Sequence, residues 1–198
     1  MSNATQFKPQ PGDALIVVDV QNDFLPGGAL GVPDGDAVVP VLNRYIEHFE
    51  EQGLPVIATR DWHPENHVSF KARGGPWPPH CIAQTRGAQF GPGLKLPADA
   101  RVVSKATTAD EEAYSGFQGT QLAQDLREQN VKRVFVGGLA TDYCVLNTVK
   151  DARKHGFDVV LLRDAIRPVE VKPGDGERAV TEMTDLGAVP AELEKVAA

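Results

Sequence analysis

The stretch 14-ALIVVDV-20 decides the fold. Its odd and even positions are both apolar, and Pro-Gly-Asp precedes it while Gln-Asn-Asp follows. A strand with one wet face alternates apolar and polar residues. One that is apolar on both alternations has to be covered on both sides, as in a parallel sheet layered between helices. The segments 54-LPVIATRD-61, 101-RVVSK-105, 131-VKRVFVGG-138 and 157-FDVVLLRDA-165 have the same character.

Helical patterns fill the gaps. Asp36 is placed to cap a helix over about 37–52, with Pro40 in its first turn and Gly53 ending it. Residues Thr120 to Asn130 read as a second helix. Thr141 is placed to cap a third, whose Val145, Leu146, Val149 and Ala152 share one stripe and whose stop is Gly156. A fourth covers Glu177 to Leu186 and leads to a short strand near Ala188 and Val189. Strand alternating with helix predicts an α/β, doubly wound and mainly parallel sheet with right-handed crossovers. The Pro- and Gly-rich segment 62–100 reads as loop, and structureless stretches that long in a compact domain are usually functional.

Polar residues then fall where such sheets bind ligands, outside the carboxyl ends of the strands. Asp19 lies near the end of the first strand, Asp61 ends the second, Lys105 ends the third, and Cys144 follows the fourth. A thiol in the first turn of a helix, with a lysine nearby, is expected to have its pKa lowered. Asp19 is a candidate to take the thiol proton and return it to a leaving amine. The N–H groups of Ala140 and Cys144 are candidates for an oxyanion hole. Taken singly, a helix cysteine is more often a small buried hydrophobe, and each of the other groups has a bland reading too. Their joint placement at one sheet edge favours chemistry.

A second cluster lies in 59-TRDWHPENHVSF-70 and 76-PWPPHC-81. Asp61, His63 and His80 offer oxygen and nitrogen donors suited to zinc, iron or manganese, with positions left open for a ligand. His63 and His67 have the i, i+4 spacing of a zinc protease, but Pro64 stands where that chemistry needs a glutamate. His67 is therefore either a further ligand or, as we favour, a hydrogen-bonding support. Ser69 is placed to approach the ion through water, and Cys81 reads as structural.

The whole chain sets outer bounds. Its 198 residues suit a single domain over 1–198, with 1–12 a flexible lead-in. A formal charge of −7 without a basic block argues against nucleic acid as a partner. No apolar run suits a signal peptide or a membrane span, and two cysteines without an export signal suit reduced thiols, so the expected location is the cytoplasm.

The motifs DVQNDF (19–24), TRDWHPENHVSF (59–70), GGPWPPHC (74–81), SKATTADEEAYSGF (104–117) and GGLATDYCV (137–145) resemble those of nicotinamidases and pyrazinamidases in the isochorismatase-like cysteine hydrolase family. The likeness runs from about residue 14 to 165 in the family's order and spacing. It implies a six-stranded sheet in the order 3-2-1-4-5-6. It also implies a catalytic triad of Asp19, Lys105 and Cys144, a metal held by Asp61, His63 and His80, and a cis peptide at Leu139–Ala140 aiming the Ala140 N–H into the oxyanion hole. Phe24, Trp77, Tyr114 and Leu30 match pocket positions. The implied reaction is hydrolysis of nicotinamide to nicotinate and ammonia through a cysteine thioester, with pyrazinamide as a second substrate and a place in NAD salvage. The implied cofactor is one divalent ion, zinc before iron or manganese, and relatives suggest a homo-oligomer. Two other readings stay in view. One is an amidohydrolase of the same family acting on a carbamoyl or ureido compound; the other is a metal-stabilised scaffold with a redox-sensing thiol.

Overall fold

A computed structural model of the chain describes residues 7–196. Six strands form one sheet: β1 (Asp13–Val18), β2 (Val56–Asp61), β3 (Arg101–Lys105), β4 (Arg133–Leu139), β5 (Asp158–Arg167) and β6 (Val189–Ala191). Their order is β3-β2-β1-β4-β5-β6 and every pairing is parallel, as expected from both the buried runs and the resemblance. The order reverses between β1 and β4, which places the switch point beside Asp19 and Cys144.

The helices are α1 (Val38–Glu51), α2 (Leu122–Glu128), α3 (Leu146–Lys154), α4 (Asp175–Asp185) and a terminal turn α5 (Leu193–Val196). The period-two geometry of β1 divides its side chains between two cores. Leu15 and Val17 join Leu42, Tyr45, Ile46 and Phe49 of α1 on one face, where Phe49 meets Phe135 edge-on at 5.2 Å. Ala14, Ile16 and Val18 face the other way, toward Leu126 of α2, Val149 of α3 and Met183 of α4. Both faces of the central strand are dry, which is why its sequence shows no alternation.

Differences from the expected elements lie at their ends. Asp36 does not cap α1: it sits inside a 3-10 turn (Gly35–Ala37), the helix begins at Val38, and no side chain caps it. Pro40 still falls in the first turn, where its missing N–H costs nothing. The expected lead-in 1–12 is only partly within view, since residues 1–6 lie outside the described residues. From Phe7 onward it is tied down: the Phe7 N–H donates to Lys195 O at 2.9 Å, and Gly12 O accepts from Lys132 N–H at 2.7 Å. Segment 62–100 carries no strand and only two single 3-10 turns, Lys71–Arg73 and Arg86–Ala88. Isolated bridges pin it, including His63 to Ile82 and Phe70 to Trp77. Among the described residues no helix is long and apolar enough to cross a membrane. Cys81 and Cys144 are both free thiols.

Candidate active site

The four strand-end residues do converge. Asp19 follows β1 with φ of 48°, a left-handed conformation that a non-glycine residue holds at a cost of about 1–3 kcal/mol. Such strain at the tip of a central strand aims the carboxylate across the sheet edge. Beside it, Gly138 lets β4 approach β1: a Cβ there would stand 2.1 Å from Val18 O. The peptide Leu139–Ala140 is cis. The chain then enters a π-helical turn, Thr141–Val145, before α3. The cap expected at Thr141 is absent because Ala140 holds the capping position and the Thr141 hydroxyl has no hydrogen-bond partner. A single wide turn of this kind often marks a functional site; here it carries Cys144.

Lys105 is the hub. Its ammonium lies 2.8 Å from Asp19 Oδ2, 2.5 Å from Asp61 Oδ1 and 3.5 Å from Cys144 Sγ, and it donates to Ala113 O at 3.1 Å. All three partners are buried, and Lys105 itself is 1% exposed. Thr59 Oγ1 donates to Asp19 Oδ1 at 2.6 Å, fixing that carboxylate. The contact of Lys105 with Asp19 Oδ2 is off the line of a hydrogen bond, so this oxygen keeps a lone pair free. The donor atoms of Asp19, Asp61 and Cys144 all lie within 4.8 Å of one another.

The electrostatics correct one expectation. Burial pushes the Cys144 thiol well above its ordinary pKa; Lys105 opposes this, while Asp19 and Asp61 add to it. This direction is opposite to the one read from the helix terminus. Burial outweighs the single cation because two carboxylates already share that cation. Burial also raises Asp19, against the pull of Lys105. Lys105 stays protonated, since the carboxylates around it overcome its own burial and hold its pKa well above the usual value. For Asp61, burial alone would raise the pKa, but Lys105 and His63 together hold it well below the usual carboxylate range.

The second carboxylate oxygen of Asp61 turns to the histidines. His63 Nε2 stands 3.6 Å from Asp61 Oδ2, buried and without a hydrogen-bond partner. Its Nδ1 faces Ala106 O at 3.2 Å, and His80 Nδ1 faces Pro78 O at 2.8 Å. A ring nitrogen opposite a carbonyl donates, which leaves the Nε2 of each ring as the atom a metal would take. Burial lowers the pKa of His80 and keeps it neutral. The donor atoms of Asp61, His63 and His80 lie within 4.8 Å of one another. An orphaned buried imidazole nitrogen, a neutral histidine and an ionised carboxylate fit a divalent cation of borderline hardness.

His67 is outside this set. It stacks on His63 with ring centroids 4.1 Å apart, and both its nitrogens are engaged, with Ser69 Oγ at 2.7 Å and Glu111 O at 2.9 Å. These bonds engage the ring on both sides and take up the Ser69 hydroxyl as well. Cys81 is buried, and its N–H donates to Asp23 Oδ2 at 2.7 Å.

Beside the sulfur lies a narrow cleft lined by Phe24, Leu30, Trp77, Tyr114, Ala140 and Cys144, together with Asp61 and His80. Trp77 Nε1 donates to the Tyr114 hydroxyl at 3.0 Å, which locks two walls together. Two further lining residues, Tyr143 and Val169, were not read from the sequence. Tyr143 meets Trp77 edge-on at 5.1 Å, and its place beside Cys144 was the signal that could have found it. Val169 arrives from beyond β5 and has no local signature. A larger open depression around Pro55, Asp99 and Arg101 lies at the opposite, amino-terminal end of the strands, away from all of these groups.

Comparison with known proteins gives a consistent picture. Residues 13–195 match the isochorismatase domain. The chain is 41% identical over 199 aligned residues to the nicotinamidase of Escherichia coli, covering 90% of this chain and 93% of that protein. It superposes on the zinc complex of the pyrazinamidase of Pyrococcus horikoshii with a TM-score of 0.89 and 56% identity, covering 92% of this chain and 100% of that one. The L. infantum protein PnC1, solved with nicotinate, gives a TM-score of 0.88 at 38% identity, covering 96% of this chain and 97% of that one.

Proposed function

The chain belongs to the isochorismatase family, and from that premise we infer that it hydrolyses nicotinamide to nicotinate and ammonia, and pyrazinamide by the same chemistry. The observation that carries this reading is the reach of Lys105. One ammonium touches the proposed base, the proposed nucleophile and a carboxylate of the donor set, which supports their serving one small substrate.

In the mechanism we propose, Cys144 is the nucleophile. Asp19 Oδ2 takes the thiol proton as sulfur attacks the carboxamide carbon, so the thiolate forms only when it is consumed. This suits a resting thiol whose pKa is raised. The new oxyanion is held by the N–H groups of Ala140 and Cys144. Asp19 returns the proton to the nitrogen, ammonia leaves, and a thioester remains on Cys144. Asp19 then takes a proton from water, which attacks the thioester and releases nicotinate and the thiol. Through both halves Lys105 stays charged, steadies the Asp19 carboxylate and keeps the sulfur within reach.

A divalent ion held by Asp61, His63 and His80 would supply a Lewis-acid anchor for the pyridine nitrogen. Zinc is the proposed ion, supported by the zinc complex of the P. horikoshii pyrazinamidase and by the mixed nitrogen and oxygen donors. Phe24, Trp77 and Tyr114 hold the flat ring between aromatic walls, and Leu30 closes one side. A carbamoyl or ureido group by itself calls for neither aromatic walls nor an anchor for a ring nitrogen. A redox-sensing thiol needs exposure, and Cys144 is buried, with burial pushing its pKa up.

The deciding experiment measures ammonia released from nicotinamide by the purified, zinc-loaded protein. Turnover that disappears with a chelator is expected. A folded, metal-loaded protein that leaves nicotinamide intact while cleaving a carbamoyl amine would overturn the reading.

A further inference from the structure

The π-helical turn that carries Cys144 also carries a carboxylate that the chemistry above does not use. Asp142 Oδ1 accepts the Val169 N–H at 2.8 Å, and its Oδ2 accepts the Glu170 N–H at 3.0 Å. Val169 is a wall of the cleft. The segment so held is not a relaxed loop, for Glu170 has φ of 58°. The Glu170 carboxylate in turn accepts the Gly174 and Gly176 N–H groups, each at 2.8 Å, at the start of α4. Position 176 has no room for a side chain: a Cβ there would meet Pro168 at 2.7 Å and Glu170 Oε1 at 2.9 Å. Helix α4 packs back against the π-helical turn and closes the circuit.

We propose that Asp142 is a positioning residue that fixes Val169 relative to Cys144 and so sets the largest ring the cleft accepts. The Asp142 carboxylate is the direct tie between this wall and the nucleophile's own turn, across 27 residues of sequence, and the Glu170–α4 circuit backs it. Because one end of the tie lies in the nucleophile's turn and the other is held by Glu170 to the start of α4, the wall is fixed against a ring substituent. The proposal rests on the nicotinamide reading, and the test separates the two.

Steady-state kinetics are measured for wild type, Asp142→Ala, Asp142→Asn and Val169→Ala, with nicotinamide and with ring-methylated nicotinamides. Wild-type turnover of nicotinamide tests the reaction itself; only the variants test the tie. Loss of two hydrogen bonds to the wall is expected to raise KM in Asp142→Ala by about tenfold while kcat stays within about threefold. Discrimination against the methylated rings should fall by a similar factor, as it should in Val169→Ala. Asparagine keeps one acceptor, so Asp142→Asn should recover part of both effects. Unchanged discrimination in both Asp142 variants, while Val169→Ala relaxes it, would refute the proposal. So would a loss confined to kcat, which would place Asp142 in support of the sulfur alone. Should Asp142→Ala fail to fold, the near-isosteric Asp142→Asn decides by the same ratio.

Discussion

Lys105 holds one positive charge against two buried carboxylates and a thiol, and three functional predictions follow from that imbalance. Lys105→Met leaves two anions without their shared cation, so a loss of about 3–5 kcal/mol is expected in denaturant unfolding, together with loss of activity. Cys144→Ala should reduce ammonia release by roughly 10⁴-fold or more while nicotinamide binding by calorimetry stays within a few fold; retained turnover would remove the sulfur from the reaction. The pH profile follows from Asp19. Its pKa is raised chiefly by burial, and the reaction uses its ionised form, so kcat/KM should fall toward acid with a midpoint above about pH 4. A profile flat down to that pH would contradict Asp19 as base. At this scale the identities of the groups were readable in the sequence, but their proton affinities were not. A helix terminus and a lysine pointed to a low thiol pKa; the opposite direction comes from burial and from carboxylates that strands β1 and β2 bring in from more than 80 positions away.

The strands set the site through backbone contact more than through side chains. Gly138 shows this, since any Cβ would drive β4 off β1 next to Asp19. Gly138→Ala should therefore cost about 3 kcal/mol or more, read as a fall in Tm, and should impair activity beyond what the lost stability explains. Tyr45→Phe is a contrasting case at the far face of the sheet. The Tyr45 hydroxyl donates to Asp164 Oδ1 at 2.8 Å, and Asp164 Oδ2 accepts the Leu193 N–H at 3.0 Å, joining α1, β5 and α5. Losing that bond should cost about 1–2 kcal/mol with kcat/KM unchanged. Strands were legible because burial on both faces leaves an unbroken apolar run. Helix starts were less so: Asp36 and Thr141 are good capping residues in the abstract, but a 3-10 turn and a π-helical turn displace the caps they would form. The four-residue α5 is too short to leave a periodic signal.

Across the molecule, two sites share one sheet edge, and metal content should register in both stability and catalysis. Chelation is expected to abolish turnover, and added zinc at about a hundred times its Kd should restore it with a rise in Tm of roughly 5–10 °C. Restored stability without restored turnover would separate the ion from the reaction. The topology and the two residue clusters could be read from the chain because strand ends concentrate polar residues. The tie from Asp142 to Val169 and Glu170 could not, because it joins a side chain to remote backbone N–H groups, which any residue except proline can supply.

The two oxygens of Asp61 face different partners, Oδ1 the Lys105 ammonium and Oδ2 the His63 ring, and this restricts how the site can change. Exchanging that carboxylate for an imidazole, to court a softer ion, would strip Lys105 of an anionic neighbour and so alter how firmly the ammonium competes for the sulfur and for Asp19. If the proposed ion binds there, ion preference and proton traffic are inherited as one trait at position 61. A variant there that merely swaps metals, with its acid–base behaviour untouched, is not available to this architecture.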